Sequence, residues 1–267
     1  MSDRLKDKAF VVTGAARGMG RSHAIQIAEE GADVILIDAC ADMDTIPYPM
    51  STPDDLAEVV AEVVARDRKA FSAQVDVSDR GALEDAITEG VAALGRLDGS
   101  VANAGVINSG TWDEVTDTDW RKVLDVNLIG AWNTCAAVIP HLPETGGSLV
   151  NIGSAGALNA QPFNLPYVAS KWGINGFSRA LANELAAQSI RVNVVHPTGV
   201  LTGINAPRMI ELVQGERSDV APLFANKLPV FLVEPVDVSN AVVYLLSDEA
   251  RYVTGTEIRV DAGITAN

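Results

Sequence analysis

Tyr167 and Lys171 open and close the run Tyr167-Val168-Ala169-Ser170-Lys171. On a helix, this i, i+4 spacing projects both side chains from one face. An ammonium beside a phenol favours the phenolate and draws the tyrosine pKa down from its usual value of about 10. The pair is therefore a candidate proton donor and acceptor. Ser154, just beyond an apolar run, adds a hydroxyl able to hydrogen-bond a carbonyl or alcohol oxygen.

A second chemistry lies upstream in Thr13-Gly14-Ala15-Ala16-Arg17-Gly18-Met19-Gly20, between an apolar run and a helical pattern. Gly14, Gly18 and Gly20 permit a tight turn and a close approach of the backbone to a pyrophosphate, whose charge suits a helix N-terminus. The spacing is GxxxGxG rather than the commoner GxGxxG. The next apolar run ends at Asp38, where a carboxylate can accept from an adenosine ribose 2′-hydroxyl and repel a 2′-phosphate. That favours NAD over NADP, although Arg17 inside the turn is a cation able to reach a 2′-phosphate.

The elements that must position these groups alternate along the chain. Apolar, β-branched runs predict strands at Ala9 to Thr13, Val34 to Asp38, Phe71 to Asp76, Leu97 to Ala102, Ser148 to Ile152, Arg191 to His196 and Glu257 to Val260. Helical periodicity falls at about Gly18 to Glu30, Asp54 to Lys69, Arg80 to Leu94, Asp117 to His141, Tyr167 to Gln188 and Val236 to Leu246. Right-handed crossovers then give a single α/β domain over residues 1–267, a doubly wound parallel sheet of about seven strands with helices on both faces.

The composition, 48% hydrophobic and 21% charged, is that of a globular enzyme. A formal charge of -15 argues against a nucleic-acid partner, which requires a basic face. No run of signal-peptide length precedes the first strand, and no later segment reads as apolar over about 18 residues, so a cytoplasmic, non-membrane protein is expected. Cys40 and Cys135 make no disulfide framework, and neither they nor His23, His141 and His196 have metal-site spacing. The histidines are read as surface or packing groups. Among the tryptophans, only Trp112 and Trp172 are candidates for pocket contact.

Taken together, the glycine turn, Asn103-Ala104-Gly105 after the fourth strand, Asn127, Ser154, the Tyr167 to Lys171 run and Pro197-Thr198-Gly199 resemble the short-chain dehydrogenase/reductase family. The resemblance covers essentially the entire chain. It implies hydride transfer between a nicotinamide and a carbinol or carbonyl carbon, with Asn127, Ser154, Tyr167 and Lys171 as a catalytic tetrad. Tyr167 would exchange the substrate proton. Lys171 would hold the nicotinamide ribose, Ser154 would orient the substrate oxygen, and Asn127 would support a water joining Lys171 to solvent.

The same resemblance implies cofactor contacts at Gly14, Arg17, Gly18, Met19 and Gly20, at Asp38, and at Asp76 and Val77 beside adenine. Further contacts fall at Asn103, Ala104 and Gly105, at Tyr167 and Lys171, and at Pro197, Gly199, Val200 and Thr202. Ala102 replaces the first asparagine of the usual NNAG, and Thr198 intervenes in the usual proline-glycine pair; neither change removes a reacting group. A homotetramer is implied, pairing through the helices that carry Asn127 and Tyr167.

Two segments fall outside the alternation. Residues 200–233 are apolar but punctuated by Gly203, Pro207, Gly215, Pro222 and Pro229, and are expected to wall a substrate pocket. The second is the overlong connection after Asp38, where about two to six residues would be usual. With its Ser51-Thr52-Pro53-Asp54-Asp55-Leu56 exit, it resembles the members of the family associated with the redox peptide cofactor mycofactocin, including those called carveol dehydrogenases. Thr52 suits an N-cap and Pro53 the first helical position. The subset implies that residues 39–53 cover bound NAD, which is then reoxidised in place by an external carrier.

The expected reaction is therefore NAD-dependent oxidation of a small or terpenoid-like secondary alcohol. Its competitors are an NADPH-dependent 3-oxoacyl-thioester reductase and a nucleotide-binding sensor that shares the fold.

Overall fold

The computed structural model describes residues 3–204 and 206–266. Strands β1 (Ala9–Thr13), β2 (Asp33–Asp38), β3 (Ala70–Gln74), β4 (Gly99–Ala102), β5 (Gly147–Ile152), β6 (Ile190–Pro197) and β7 (Glu257–Val260) form one sheet in the order β3-β2-β1-β4-β5-β6-β7. Every pairing is parallel. The order reverses between β1 and β4, the position at which a doubly wound sheet opens a ligand crevice.

Strand periodicity divides the core into two layers. On one face, Val11, Ile35, Ile37, Leu149 and Val192 pack against α3 (Arg80–Leu94), α5 (Gly130–Val138) and α7 (Leu165–Leu185). On the other, Phe10, Val12, Val34, Leu36, Val150 and Val195 pack against α1 (Gly18–Glu29), α2 (Pro53–Val64) and α9 (Pro235–Leu246). Covering both faces is what keeps a parallel sheet dry. Three further helices, α4 (Asp117–Leu124), α6 (Ala155–Leu158) and α8 (Pro207–Gln214), complete the described helical elements of α type.

The element boundaries differ from the sequence expectations in ways that matter for the site. Helix α2 ends at Val64 rather than Lys69, where Asp67 turns into the left-handed region with φ +58°. Strand β3 ends at Gln74, so Asp76 and Val77 belong to the following turn. Helix α7 starts at Leu165 with Pro166 in its first turn, placing Tyr167 at the third helical position.

The run expected as one helix from Asp117 to His141 is broken by a π-turn at Asp125–Ile129, which contains Asn127. Such turns displace the regular backbone ladder and often occur at functional sites. The expectation that no segment is apolar over about 18 residues also fails here: Asp117–His141 holds an 18-residue window of mean hydropathy 1.3. Some 56% of that window is buried within the fold, so it is the core helix of this domain.

Candidate active site

The glycine turn joins β1 to α1 at the crevice. Gly14 and Gly18 have φ +64° and +54°, which only glycine adopts without strain. A Cβ on Gly20 would lie 1.9 Å from the Gly14 carbonyl oxygen, so no larger residue fits there. Asn103 ties the turn to β4: its Nδ2 donates to the carbonyls of Thr13 (2.9 Å) and Gly14 (3.2 Å). The backbone amides of Asn103 and Ala104 donate to Thr13 Oγ1. Asn103 Oδ1 is buried with no hydrogen-bond partner among the described residues.

Asp38 ends β2 and is 7% exposed. Its Oδ2 accepts from the Ala16 amide at 2.9 Å, and its Oδ1 accepts from the Cys40 amide (3.0 Å) and the Ser51 hydroxyl (2.6 Å). A carboxylate has about four acceptor positions, so three protein donors leave one for a ligand hydroxyl.

Arg17 lines the same cleft as Asp38, with its guanidinium engaged by the connection after β2. Its guanidinium donates to the Pro49 carbonyl and contacts Met50 Sδ (3.5 Å). It also stands 5.8 Å from the Tyr48 ring centroid.

The overlong connection packs against the core and walls the cleft. Ile46 and Tyr48 are buried in the same core layer as Ile35, Val106 and Ile107, with Met43 and Met50 packed against it. The Ile107 amide donates to the Tyr48 hydroxyl at 3.0 Å, pinning the connection to the chain after β4. At its far end, Thr52 and Asp55 form a capping box, with Pro53 in the first turn of α2. Ala39, Met43, Met50 and Ser51 line a cleft shared with Gly14, Met19, Asp76, Val77, Asn103 to Gly105 and Thr202. Asp76 Oδ1 accepts from the amide and hydroxyl of Ser78, and the Val77 carbonyl accepts from Asn133.

The cleft continues past Met19, Gly105 and Thr202 to Ser154, Tyr167 and Lys171. Pro197, Gly199 and Val200 line this half, and Val200 forms a parallel bridge with Val233. Lys171 is 4% exposed; its Nζ donates to the Ile152 carbonyl at 2.8 Å and stands 5.7 Å from the Tyr167 ring centroid. Ser154 and Tyr167 line this half of the cleft together.

Burial pushes the Lys171 pKa down to about 8. Burial also raises that of Tyr167, with the Ser154 hydroxyl opposing it. The lowered tyrosine pKa expected from the Tyr167–Lys171 spacing is therefore reversed in the free chain, because desolvation penalises phenolate and ammonium alike.

Asn127 is also nearby, but its side chain is committed. Oδ1 accepts from the Val106 amide (2.8 Å), while Nδ2 donates to the Val106 carbonyl (2.9 Å) and to Ser170 Oγ (3.1 Å). It thus braces the chain after β4 against α7, and its amide protons are not free to hold a water. Gly105 preserves the space between it and Lys171: a Cβ there would lie 3.4 Å from Asn127 Oδ1 and 3.5 Å from Lys171 Nζ.

The segment over residues 200–233 forms α8 and a short 3-10 run at Ser218–Phe224. Ile204, Ala206, Met209, Ile210, Phe231 and Leu232 from this segment, with Ile107, make the cleft largely apolar. Trp112 is 81% exposed, and Trp172 donates its indole N–H to the Ala157 carbonyl; neither lines the cleft. Among the described residues, no group of three or more His, Cys, Asp or Glu side chains could hold a metal ion. Tyr48 and Ser51 carry no local mark of a site role, since each makes its contact with a residue distant in the chain.

The family model described as enoyl-(acyl carrier protein) reductase matches residues 14–265. A short chain dehydrogenase from Mycobacterium paratuberculosis, solved bound to NAD, superposes with a TM-score of 0.96 at 41% identity, covering 99% of this chain and 100% of that one. The chain belongs to the short-chain dehydrogenase/reductase family. Carveol dehydrogenase from Mycobacterium avium, solved in complex with NAD, matches with a TM-score of 0.93 at 43% identity over 99% of both chains. The (-)-trans-carveol dehydrogenase of Rhodococcus erythropolis is 42% identical over 98% of this chain and 99% of its own. The family and its carveol dehydrogenase-like subset are thus those the sequence motifs resemble.

Proposed function

We propose that this protein is an NAD-dependent dehydrogenase interconverting apolar secondary alcohols and ketones, with Tyr167 exchanging the hydroxyl proton. The observation that carries this reading is the convergence of Tyr167, Ser154 and Lys171 in an apolar cleft continuous with the glycine turn and Asp38. The residues present fit the cofactor: an unpartnered Asn103 Oδ1, a glycine cradle that a Cβ would fill, and one open acceptor position on Asp38.

Bound NAD supplies the hydride-accepting carbon and the positive charge of its nicotinamide ring. Ser154 would fix the substrate oxygen within reach of the Tyr167 phenol. Lys171, held by the Ile152 carbonyl, would favour the phenolate while it retains its proton. The apolar walls would select a substrate lacking charge beyond its reacting hydroxyl. A 2′-phosphate would meet the Asp38 carboxylate, and Arg17 is engaged with the connection after β2, which disfavours the NADPH-dependent thioester reductase. In single-turnover mixing with a panel of cyclic and terpenoid secondary alcohols, NAD reduction should exceed NADP reduction by roughly tenfold or more. Equal rates with the two nucleotides would refute the assignment.

Residues 39–53 are proposed to cover the adenosine half of NAD and hold it through repeated turnovers. A nucleotide so held needs a carrier that reoxidises it in place, and mycofactocin is the carrier proposed. A homotetramer, with a cytoplasmic location, completes the proposal. Ile129 and Trp132 along the α4–α5 surface and Leu165 and Trp172 on α7 are between 38% and 50% exposed, which supports pairing of those helices. Light scattering should return four times the 28.1 kDa chain mass; a monomer would exclude the assembly.

A further inference from the structure

His196 lies on β6 immediately before Pro197, the last residue of the strand, and is fully buried. Its Nδ1 accepts the backbone N–H of Ser154 at 3.0 Å. Nδ1 therefore carries no proton, and in the neutral ring Nε2 does. Nε2 has no hydrogen-bond partner among the described residues and stands 3.6 Å from Glu257 Oε2 on β7. The approach is close enough to require glycine beside it: a Cβ on Gly153 would lie 2.4 Å from His196 Nδ1.

This contact replaces a strand hydrogen bond. Strand β5 ends at Ile152, and the last ladder-like bond beyond it runs from the Gly153 amide to the Val195 carbonyl at 2.8 Å. The next amide, that of Ser154, is buried, and a buried N–H without an acceptor is costly. Ser154 also occupies the N-cap of α6, where a serine hydroxyl usually bonds a helix amide; here it makes no such bond. With the main chain anchored by His196, the hydroxyl stays available to Tyr167.

We propose that His196 is a positioning residue, whose neutral Nδ1 anchors the Ser154 amide and so aims the Ser154 hydroxyl at the reacting oxygen. This rests on the roles given to Ser154 and Tyr167 above. Protonation at Nδ1 removes the lone pair and releases the anchor. Burial holds the His196 pKa below its usual value, as do Lys171 on α7 and Arg259 on β7, while Glu257 on β7 acts in the opposite sense. The anchor is therefore intact at neutral pH and fails only on the acid side.

Ketone reduction is the direction in which to test this, because Tyr167 is already protonated at low pH. The probe is carvone with NADH, or the ketone of the fastest alcohol in the panel. His196→Leu should lower kcat/KM roughly ten- to hundredfold with NADH affinity unchanged. His196→Asn, whose amide oxygen can take the place of Nδ1, should recover most of the rate and lose the acid limb. Glu257→Gln should move that limb to lower pH.

With only three histidines in the chain, 15N-histidine NMR reads the tautomer directly and should find His196 Nδ1 unprotonated at neutral pH. A protonated Nδ1, or a folded His196→Leu with the wild-type rate, overturns the proposal. If His196→Leu fails to fold, the Asn and Glu257→Gln variants decide it: unaltered acid limbs in both overturn it. A Ser154→Ala variant without effect would instead reject the role of Ser154.

Discussion

Tyr167→Phe is expected to slow alcohol oxidation roughly a hundred- to ten-thousandfold, the range associated with losing a positioned acid/base group, while NAD still binds. The change removes one oxygen and keeps the ring that packs in the core layer with Val106 and Ile107. Loss of rate would then reflect lost proton transfer rather than collapse of the cleft. The pH dependence follows from burial. Because the Tyr167 pKa is raised, the residue is a phenol at neutral pH, the form that donates to a carbonyl oxygen. Reduction therefore begins with the required form in place, whereas oxidation requires the phenolate and should rise with pH. Lys171 limits that rise in the free chain, since its ammonium is lost above a pKa of about 8. Profiles of kcat/KM for the alcohol and the ketone report these groups in the nucleotide-bound form that each substrate meets. A Tyr167→Phe variant with full activity would remove the assignment.

The second large effect is expected at the connection after β2. Wild-type protein purified without added nucleotide should carry NAD through dialysis. Replacing residues 41–50 by a short turn should raise the NAD dissociation rate by at least about tenfold, because the replaced stretch supplies Met43 and Met50 to the cleft wall. Tyr48 separates two contributions to that wall. Tyr48→Phe removes the acceptor of the buried Ile107 amide and leaves that N–H unpaired, costing about 1–3 kcal/mol. Tyr48→Ala also empties a buried aromatic site, costing on the order of 3 kcal/mol or more of stability. Mass spectrometry of the dialysed protein and stopped-flow NAD release give the readouts. An empty wild-type site that exchanges NAD as fast as the shortened variant would refute the cover.

Much of the architecture is local in origin and so was readable from the chain. The alternation of apolar strands with helical periods is set by side-chain burial on a two-residue or 3.6-residue repeat, and it led to the doubly wound parallel sheet, whereas the strand order came only from the fold. Thr52 and Pro53 marked the start of α2 because capping chemistry involves residues within one turn. The π-turn around Asn127 had no such local mark: it depends on bracing between Val106 and Ser170, far apart in sequence.

The sequence by itself determined which groups could do chemistry: a phenol and an ammonium i, i+4 apart, a hydroxyl at a strand end, and a glycine turn before a helix. Only the tertiary structure decided how each is biased. Arg17 reads from sequence as a possible phosphate ligand, yet the fold turns it toward Pro49 and Tyr48. The same burial that places Lys171 beside Tyr167 reverses the pKa shift their spacing suggests. His196 reads as a packing residue until β5 and β6 pair and bring its ring under Ser154. Residue type and spacing are properties of the chain, whereas desolvation and hydrogen-bond partnership arise from segments that meet only in the folded state.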